Sequence, residues 1–422
     1  MEKILLVMVA LLLACSEKKD SFEEPNYAEI VDFYEDIQPI LENNCVACHN
    51  EEGQGLGDFT SYENVRMMAP LISASVHDGR MPPPVADPNC RDYKGSEVLH
   101  LAQEDKDLIS KWIEQGMEEG DPSTALEYDR KTFELEDADL TVMMTEPYTP
   151  SFSSENNPGN EYRCFSIPHN RTEPFYITAV HPVIDNHELV HHVVIAKGDS
   201  EGIIIDSNRP EGKGCIRRGG AFIRNFEHGA MLSGWAPGMR PVELNKDAGM
   251  LVMPDEFIVV QVHYYQNPDA HKQSDQSGVA FRTTDSVDHV VQMFPLGTTD
   301  FTIPAGEEAY TVTDDITLPI GYKIWGIFPH MHVLGDAYSF SIGKGEEEKC
   351  LAKSDHYDFE NQLTYIFHDE VEVPADTPFN ISCTWNNSAE NPNIIHNPPV
   401  DISNGERTDE EMCFGFTLVS FN

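Results

Sequence analysis

The sequence predicts a mainly β protein that begins with a small helical module. Up to about residue 120, apolar residues recur at helical spacing, as in "YEDIQPILENN" and "EDKDLISKWIEQGMEEG". After residue 133, short runs such as "FIVVQVHYY" and "YKIWGIF" alternate apolar and polar residues, and Gly, Pro, Asn and Asp separate them every ten residues or so. This second pattern is typical of antiparallel β-sandwiches.

The N-terminus reads as a targeting segment. An apolar run over residues 4–13 stops just before Cys15, which follows a small residue. The run is too short to span a bilayer as a stable helix. It resembles a bacterial lipobox, which predicts a signal peptide over 1–14, lipid attachment at Cys15 and a tether over 15–25. We therefore expect an exported protein, anchored to the outer membrane or the periplasmic face by lipid alone. An ordinary signal peptide that contains a cysteine is the alternative.

Charge and cysteine content narrow the function classes. The chain has 28 Lys and Arg against 72 Asp and Glu, a formal net charge of −44, which argues against a nucleic acid partner. Nine cysteines in an exported chain predict disulfides. When Cys15 and two thiols of the motif described next are set aside, an even number remains for pairing.

The helical module carries a cofactor-attachment motif. An amphipathic helix runs into Cys45-Val46-Ala47-Cys48-His49. The C-x-x-C-H string is the attachment pattern of c-type haem: two thiols bind the vinyl groups and the imidazole reaches the iron. Zinc and a redox dithiol are the alternatives. Zinc ribbons need a second close cysteine pair, which the sequence lacks, and the adjoining histidine argues against the dithiol.

The opposite iron ligand is predicted from a proline-rich loop. "DGRMPPP" holds Met81 where few backbone donors compete, and a thioether opposite histidine suits electron transfer. The rival ligands are Met67, Met68, His77 and His100. The module, which resembles a small class I cytochrome c domain, is predicted over residues 26–120, with a linker over 121–134.

Histidines in the β region suggest metal binding. "GIFPHMHVLG" places His330 and His332 on one face of a strand, because side chains at i and i+2 share a face. Taken alone, such a pair is as often structural. Further candidate ligands are His191 and His192 in "ELVHHVVIAKG", His263 in "VQVHYYQN" and Met412 in "TDEEMCFGF".

These six residues form two candidate sites whose donor atoms differ in softness. One set has three imidazoles, and the other has two imidazoles and a thioether. Imidazole suits copper, zinc, iron and nickel, whereas a thioether favours Cu(I). Three neutral ligands leave coordination positions open, which is typical of a catalytic site.

Six strings in order resemble one family: "YRCFSIP", "HELVHHVV", "GWAPG", "VQVHYYQN", "FPHMHVLG" and "TDEEMC". The region from about 135 to 422 is similar to the copper type II, ascorbate-dependent monooxygenases. The resemblance implies two consecutive antiparallel β-sandwich domains, over 135–285 and 286–422, preceded here by the small all-α cytochrome c domain. It further implies two copper ions. The first would be held by His191, His192 and His263, and the second by His330, His332 and Met412.

The same resemblance implies two disulfides. One would join Cys383 to Cys413, beside the Met412 ligand, and the other would join Cys164 to Cys215. Cys90 and Cys350 are left over, and a bridge between the haem module and the sandwiches is one possibility for them.

The implied reaction is hydroxylation of a C–H bond of an organic small molecule by dioxygen, catalysed at His330, His332 and Met412. The family draws electrons from ascorbate. Here the fused haem suggests a route from an external donor, ascorbate or a redox protein, through the haem to the coppers. The rival interpretations are a non-catalytic electron-transfer or copper-binding cytochrome lipoprotein, and a surface binding protein with structural metals.

Substrate class is indicated only weakly. In the peptide-amidating members of the family, an arginine precedes the H-x-H pair by two positions and receives a carboxylate; here that residue is Phe328. Phe414 and Phe416 follow the Met-Cys step, where those members carry polar and phenolic residues. Such a pocket disfavours a buried carboxylate and favours a neutral or aromatic substrate. The phenylalanines fit an ordinary core equally well.

Overall fold

The computed structural model describes residues 30–51, 55–125, 134–152, 159–199, 203–205, 215–217, 229–237, 239–245, 247–267, 272–359, 361–405 and 409–421. The predicted signal peptide, tether and lipid-attachment residue Cys15 lie outside these ranges. Within them, no helix is long and apolar enough to cross a membrane.

The N-terminal module is helical. A π-helical segment, Phe33–Ile37, begins after Asp32, whose carboxylate accepts the N–H of Glu35 at 2.9 Å. It continues into α1 (Gln38–Asn44), followed by α2 (Tyr62–His77), α3 (Ser96–Leu99) and α4 (Gln103–Glu114). A short 3₁₀ turn, Pro122–Thr124, follows.

The module has its own small core. Phe33, Ile37 and Leu41 pack with α2 and with Trp112 of α4, and each of these side chains is about 1% exposed. Helical spacing predicted this face of α4 correctly, because Ile109 and Trp112 point inward.

Residues 82–95, here called the strap, leave the module and lie on the sandwiches. Ala86 and Tyr93 are 2% exposed and belong to the main β core. The amide of Asp87 donates to the carbonyl of Lys353 at 2.7 Å, and Cys90 forms a disulfide with Cys350. The two cysteines left over by the sequence argument therefore bridge the N-terminal part of the chain to the second sandwich.

The first sandwich contains two antiparallel sheets. One has the order β1-β11-β3-β9-β12 with β8 beside β3, and the other has the order β2-β10-β4-β7; β5 and β6 form a separate ladder. Among the strand pairs of the described residues here, β12–β9 is parallel and the others are antiparallel. The strands are β1 Leu140–Met143, β2 Asn160–Ile167, β3 Phe175–Val183, β4 Val190–Asp199, β5 Ile203–Ile205, β6 Cys215–Arg217, β7 Gly229–Trp235, β8 Val242–Glu243, β9 Ala248–Val252, β10 Glu256–Tyr265, β11 Gly278–Thr284 and β12 His289–Val290.

The second sandwich repeats this plan. Its sheets have the orders β13-β22-β16-β19 and β15-β20-β17-β18, and β14 pairs with β21. A 3₁₀ turn, Gly345–Glu347, lies before β18. The strands are β13 Gln292–Thr298, β14 Thr302–Ile303, β15 Tyr310–Thr317, β16 Tyr322–His330, β17 Gly335–Ile342, β18 Lys349–Ser354, β19 Tyr365–Val373, β20 Pro378–Trp385, β21 Ile402–Ser403 and β22 Cys413–Phe421.

The sandwiches share one buried apolar cluster. At their junction, Gly234 of β7 faces the ring of Phe328 on β16. A Cβ at Gly234 would lie 3.2 Å from the Phe328 ring, so the strands approach this closely because residue 234 has no side chain.

Burial of a histidine in the first sandwich makes folding depend on pH. Burial lowers the pKa of His181 to about 4, from 6.5. The unfolded chain therefore binds more protons than the folded chain between these values, and stability falls as pH falls through this window. We expect the free energy of unfolding to lose about 2 kcal/mol from this residue between pH 7.5 and pH 5. Urea titrations of wild type and His181→Gln measure the difference. Parallel pH profiles for the two proteins would contradict it.

Candidate metal centres

Three histidines converge at the end of the first sandwich. One ring nitrogen from each of His191, His192 and His263 lies within 4.8 Å of the others. The Nδ1 atoms of His191 and His263 are 3.4 Å apart. Spacing of this kind allows one ion to be held by all three rings.

Antiparallel pairing of β4 with β10 produces this convergence. His192 lies directly opposite His263, and the register shifts between His263 and Tyr264. The ring of His263 stacks on Tyr162 with centroids 4.2 Å apart. Its Nε2 is 2.7 Å from Oδ1 of Asn160, so we assign the proton to Nε2, which leaves the Nδ1 lone pair for a metal.

Burial favours the neutral forms of His263 and His191 by lowering the pKa of each ring. Burial lowers the pKa of His263 well below its usual value, and the neighbouring His192 and His191 lower it further. Burial also lowers the pKa of His191, whereas the Asp358 carboxylate acts in the opposite direction. Neutral rings are the form that binds metals.

A second pair of histidines lies in the second sandwich. The rings of His330 and His332 have centroids 5.1 Å apart and are nearly perpendicular. Nδ1 of His330 is 2.5 Å from Oε1 of Gln362, and Nδ1 of His332 is 2.9 Å from the carbonyl of Glu410. Both carbonyl oxygens are acceptors, so both Nδ1 atoms carry protons and both Nε2 atoms are available to a metal.

The chain at this pair departs from the predicted strand geometry. Strand β16 ends at His330, so His332 lies just beyond it. The N–H groups of His332 and Leu334 donate instead to the two carboxylate oxygens of Glu411, at 2.9 and 2.7 Å. A side chain thus replaces the neighbouring strand as hydrogen-bond partner.

Met412 is connected to this pair by hydrogen bonds and strand pairing. His330 pairs with Phe414 across β16 and β22. The N–H of His332 and the N–H of Met412 both donate to the Glu411 carboxylate, which connects the two candidate ligands, and Met412 is 5% exposed. The family resemblance implied that Met412 belongs with His330 and His332, whereas local sequence could not, because 80 residues separate His332 from Met412.

Glu411 is fully buried, and its carboxylate accepts four hydrogen bonds. Besides the two amides already described, it accepts Nε1–H of Trp385 at 2.8 Å and the N–H of Met412 at 3.3 Å. Burial raises the pKa of Glu411 to about 7, although the hydrogen bonds act to lower it. This carboxylate therefore fixes the backbone on both sides of the centre.

The disulfides agree with the sequence prediction where their atoms are described. Cys383 of β20 is bonded to Cys413 of β22, which joins the two sheets beside Met412. Cys164 is disulfide-bonded. The backbone of its predicted partner, Cys215, lies on β6, and the side chain of Cys215 lies outside the described residues.

Phenylalanines line one side of the second pair. The Phe328 and Phe416 rings lie 5.9 and 5.8 Å from the His330 ring, and Phe414 stacks on Phe416 at 5.7 Å. Phe328 and Phe416 are each 5% exposed. They pack as core, and they also make the surroundings of His330 apolar.

The residues predicted to attach haem lie together at the end of α1, and the haem itself stays a prediction. Cys45 and Cys48 are free thiols. Nδ1 of His49 is 3.0 Å from the Leu56 carbonyl, and its ring stacks on Phe59 with centroids 4.3 Å apart. Nε2 is therefore the nitrogen available to iron. Burial lowers the pKa of His49, which keeps the ring neutral.

The structure gives the surroundings of three of the residues proposed as the opposite iron ligand. Met81 is 40% exposed at the end of the loop after α2. Nδ1 of His77 lies 2.8 Å from the Ser73 carbonyl and Nε2 lies 3.2 Å from Ser110, so this ring has other partners. Met68 packs against Gly57. Met81 stays a prediction.

Sequence reasoning missed Asn160, Gln362, Glu410 and Glu411, which orient the histidines. Only Glu411 gave a local signal, since it directly precedes Met412. The others lie in loops or on neighbouring strands, and their roles depend on tertiary contacts.

Comparisons with known proteins agree with the two-sandwich plan. Residues 149–272 match the N-terminal domain, and residues 290–419 the C-terminal domain, of the copper type II ascorbate-dependent monooxygenases. Dopamine beta-hydroxylase of Canis lupus familiaris is 23% identical over 259 residues, which is 57% of this chain and 40% of that protein. DBH-like monooxygenase protein 1 of Mus musculus is 27% identical over 290 residues, 62% of this chain and 44% of that protein. The chain thus spans less than half the length of these curated relatives.

Among solved structures, the VP2 subviral particle of infectious bursal disease virus is 9% identical, with a TM-score of 0.19 over 67% of this chain and 70% of that one. A likeness this low carries no argument.

The buried carboxylate gives a testable expectation. Glu411→Ala removes the acceptor of four buried N–H groups, so we expect it to lower the free energy of unfolding by at least about 3 kcal/mol. Glu411→Gln keeps one acceptor oxygen and should lose less. Chemical denaturation of the metal-free proteins measures the change.

Glu410→Ala is the matched control, since His332 uses the backbone carbonyl of Glu410, which the substitution retains. Equal stability losses for Glu411→Ala and Glu410→Ala would contradict the expectation.

Proposed function

The chain belongs to the copper type II, ascorbate-dependent monooxygenases, and from this premise we propose that it hydroxylates a C–H bond of an organic small molecule with dioxygen. The single observation that carries the proposal is the pair of donor sets held at the ends of the two sandwiches. Copper bound there would supply single electrons and the place where dioxygen is activated.

The residues divide into two proposed roles. His191, His192 and His263 would hold the copper that supplies electrons. His263 would bind it through Nδ1, because its Nε2 is engaged by Asn160. This preorganisation favours fast electron exchange, because the ligands need little rearrangement.

His330, His332 and Met412 would hold the copper at which dioxygen is activated. Gln362 and the Glu410 carbonyl engage both Nδ1 atoms, which leaves both Nε2 atoms available to bind a metal. The thioether favours the reduced ion. Three protein ligands leave space for dioxygen and for a nearby substrate carbon.

The surroundings of His330 favour a neutral or aromatic substrate. Phe328 and Phe416 flank the imidazole, and neither offers a partner for a carboxylate. An ionised substrate group buried against these rings would lose its hydration without compensation. The peptide-amidating specificity is therefore disfavoured.

We further propose that a c-type haem on Cys45, Cys48 and His49 supplies electrons, with Met81 as the opposite ligand. An external donor, ascorbate or a redox protein, would reduce the haem. The free thiols and the orientation of His49 support the attachment. Export and lipid anchoring at Cys15 complete the proposal, which places the enzyme on a bacterial membrane outside the cytoplasm.

A non-catalytic electron-transfer or copper-binding lipoprotein is the second candidate. It shares all metal ligands and differs in reactivity. Dioxygen uptake by the reduced protein separates the two: an enzyme consumes dioxygen in a substrate-dependent way, whereas a carrier reoxidises at a rate that substrate does not change.

The first test is metal content in a soluble form that starts after Cys15. We expect two copper ions per haem, as the family implies. His263→Ala should lose the first ion, since it removes one of three ligands. Met412→Ala should weaken the second, most strongly in the Cu(I) state. Atomic absorption and haem absorbance give the ratio.

His187→Ala is the control, because His187 is exposed and lies just before β4 without joining the cluster. A copper content near zero with haem intact would refute the monooxygenase. Copper without haem would refute only the internal electron supply.

A further inference from the structure

The strap covers one side of the second sandwich. On that side the two sheets end at β18 and at β19. The amide of Asp87 donates to the carbonyl of Lys353 on β18 at 2.7 Å, and the amide of Lys94 donates to the carbonyl of Ile366 on β19 at 2.8 Å. The strap thus supplies backbone partners to two edge strands, which would otherwise expose unpaired groups.

Side chains and a covalent bond strengthen this contact. Cys90 is bonded to Cys350 of β18, and the guanidinium of Arg91 lies 5.0 Å from the ring centroid of Phe367 on β19. Tyr93 forms a β-bridge with Phe367 and is 2% exposed. The strap is therefore built into the second sandwich.

The loop that joins the two edge strands contacts the second centre. Residues 355–364, here called the junction loop and described except for residue 360, run from β18 to β19. The hydroxyl of Tyr357 accepts the amide of Met331 at 3.2 Å and donates to the Met331 carbonyl at 2.7 Å. The Phe359 ring lies 6.1 Å from the ring of His332. Met331 lies between the two histidines of the centre, so the loop is fastened to the backbone that carries both.

Gln362 connects the junction loop to His330. Its Oε1 is 2.5 Å from Nδ1 of His330, and its Nε2 donates to the carbonyl of Phe359 at 2.8 Å. The second bond fixes which end of the amide faces the ring. The amide oxygen keeps the His330 proton on Nδ1, and Nε2 is then the nitrogen that can bind a metal.

The strap holds the junction loop on both sides of Gln362. Just before it, Nδ2 of Asn361 donates to the carbonyl of Pro84 at 2.9 Å. Just after the loop, the hydroxyl of Tyr365 accepts the amide of Ala86 at 2.9 Å. The position of the Gln362 amide is therefore set from the strap.

A small cavity lies where the strap meets the junction loop. Its volume is about 10 Å³, which is room for about one water molecule. Pro84, Asn361 and Gln362 are among the residues that line it. Both partners of the Asn361–Pro84 hydrogen bond thus border the cavity, so loss of that bond would let more water reach the Gln362 amide. Water would then compete for the N–H of His330.

We propose that the strap is a positioning element of the second centre, which holds Gln362 against His330 through Asn361 and so fixes the ring for metal binding. Asn361 is a positioning residue, because it acts through Gln362. The strap lies outside residues 149–272 and 290–419, which match the two domains of the family. The inference rests on the proposed function in naming copper as the metal.

The alternative role for the strap is structural support alone. A strap that only covers the sheet edges would change the free energy of unfolding and leave the His330 ring as it is. The experiment therefore reads the ring itself, in copper-free protein, and reads metal binding separately.

The first measurement is NMR of the soluble form with ¹⁵N-labelled histidine rings. The ring ¹⁵N shifts report which nitrogen carries the proton, and His330→Ala identifies the His330 signals by their loss. Asn361→Ala removes the bond to Pro84. Asn245→Ala is the matched control, because its amide also donates to a backbone carbonyl, that of His368, at 3.2 Å.

The second measurement is the affinity for Cu(I), by competition with a chelator. X-ray absorption identifies the second centre by its Cu–S signal, because the thioether of Met412 belongs to that donor set alone. Cys90→Ser/Cys350→Ser removes the covalent bond between the strap and β18, and serves as a second variant that loosens the strap.

We expect the parent and Asn245→Ala to hold the His330 proton on Nδ1, and Asn361→Ala to show a mixture of both tautomers. The Cu(I) affinity of the thioether site should fall by about tenfold or more in Asn361→Ala and in Cys90→Ser/Cys350→Ser. Gln362→Ala should lose at least as much. Gln362→Glu retains an acceptor for the His330 N–H and should bind Cu(I) more tightly than Gln362→Ala.

An unchanged His330 tautomer, or parent-like Cu(I) affinity, in Asn361→Ala would overturn the proposal even if that variant is less stable. A parent protein that binds copper without a Cu–S signal would be a failure of the proposed function. The tautomer measurement needs no copper, so it still decides whether the strap positions the ring.

Discussion

The buried carboxylate of Glu411 is the interaction on which the second centre depends. A strand that ends at His330 leaves backbone donors without a neighbouring strand, and buried donors without acceptors are costly. Glu411 accepts those of His332, Leu334 and its own neighbour Met412. This one side chain joins the two chain segments that carry the proposed ligands. The indole N–H of Trp385 also donates to the Glu411 carboxylate.

Hydrogen bonding also decides which nitrogen of each ring is available. At the first centre Asn160 engages Nε2 of His263, which leaves Nδ1, whereas at the second centre Gln362 and the Glu410 carbonyl engage Nδ1 and leave Nε2. His263 therefore offers the opposite nitrogen from His330 and His332. Desolvation and the neighbouring His332 lower the pKa of His330 to about 3, so protons compete little with a metal there at neutral pH.

Much of this arrangement could be predicted from sequence, because it depends on residues that lie close together along the chain. Period-two alternation predicted the β region, and C-x-x-C-H depends only on spacing within one turn of chain. The Cys383–Cys413 bridge followed from the family resemblance and is present. The strap, the end of β16 at His330 and the role of Gln362 could not be predicted, because each depends on which distant segment lies opposite. Residues 82–95 were predicted as part of the helical module, but Ala86 and Tyr93 belong to the core of the sandwiches.

The Cys90–Cys350 bond closes a ring over 260 residues of sequence, which encloses the whole first sandwich. A single backbone cut anywhere inside that ring leaves both fragments covalently attached. The helical module thus cannot diffuse away after such a cut, and its effective concentration at the sandwiches stays high without any affinity between them. The ring can close only after residue 350 has been synthesised and has reached an oxidising compartment. The helical module is therefore linked covalently to the second sandwich only after most of the chain has been synthesised.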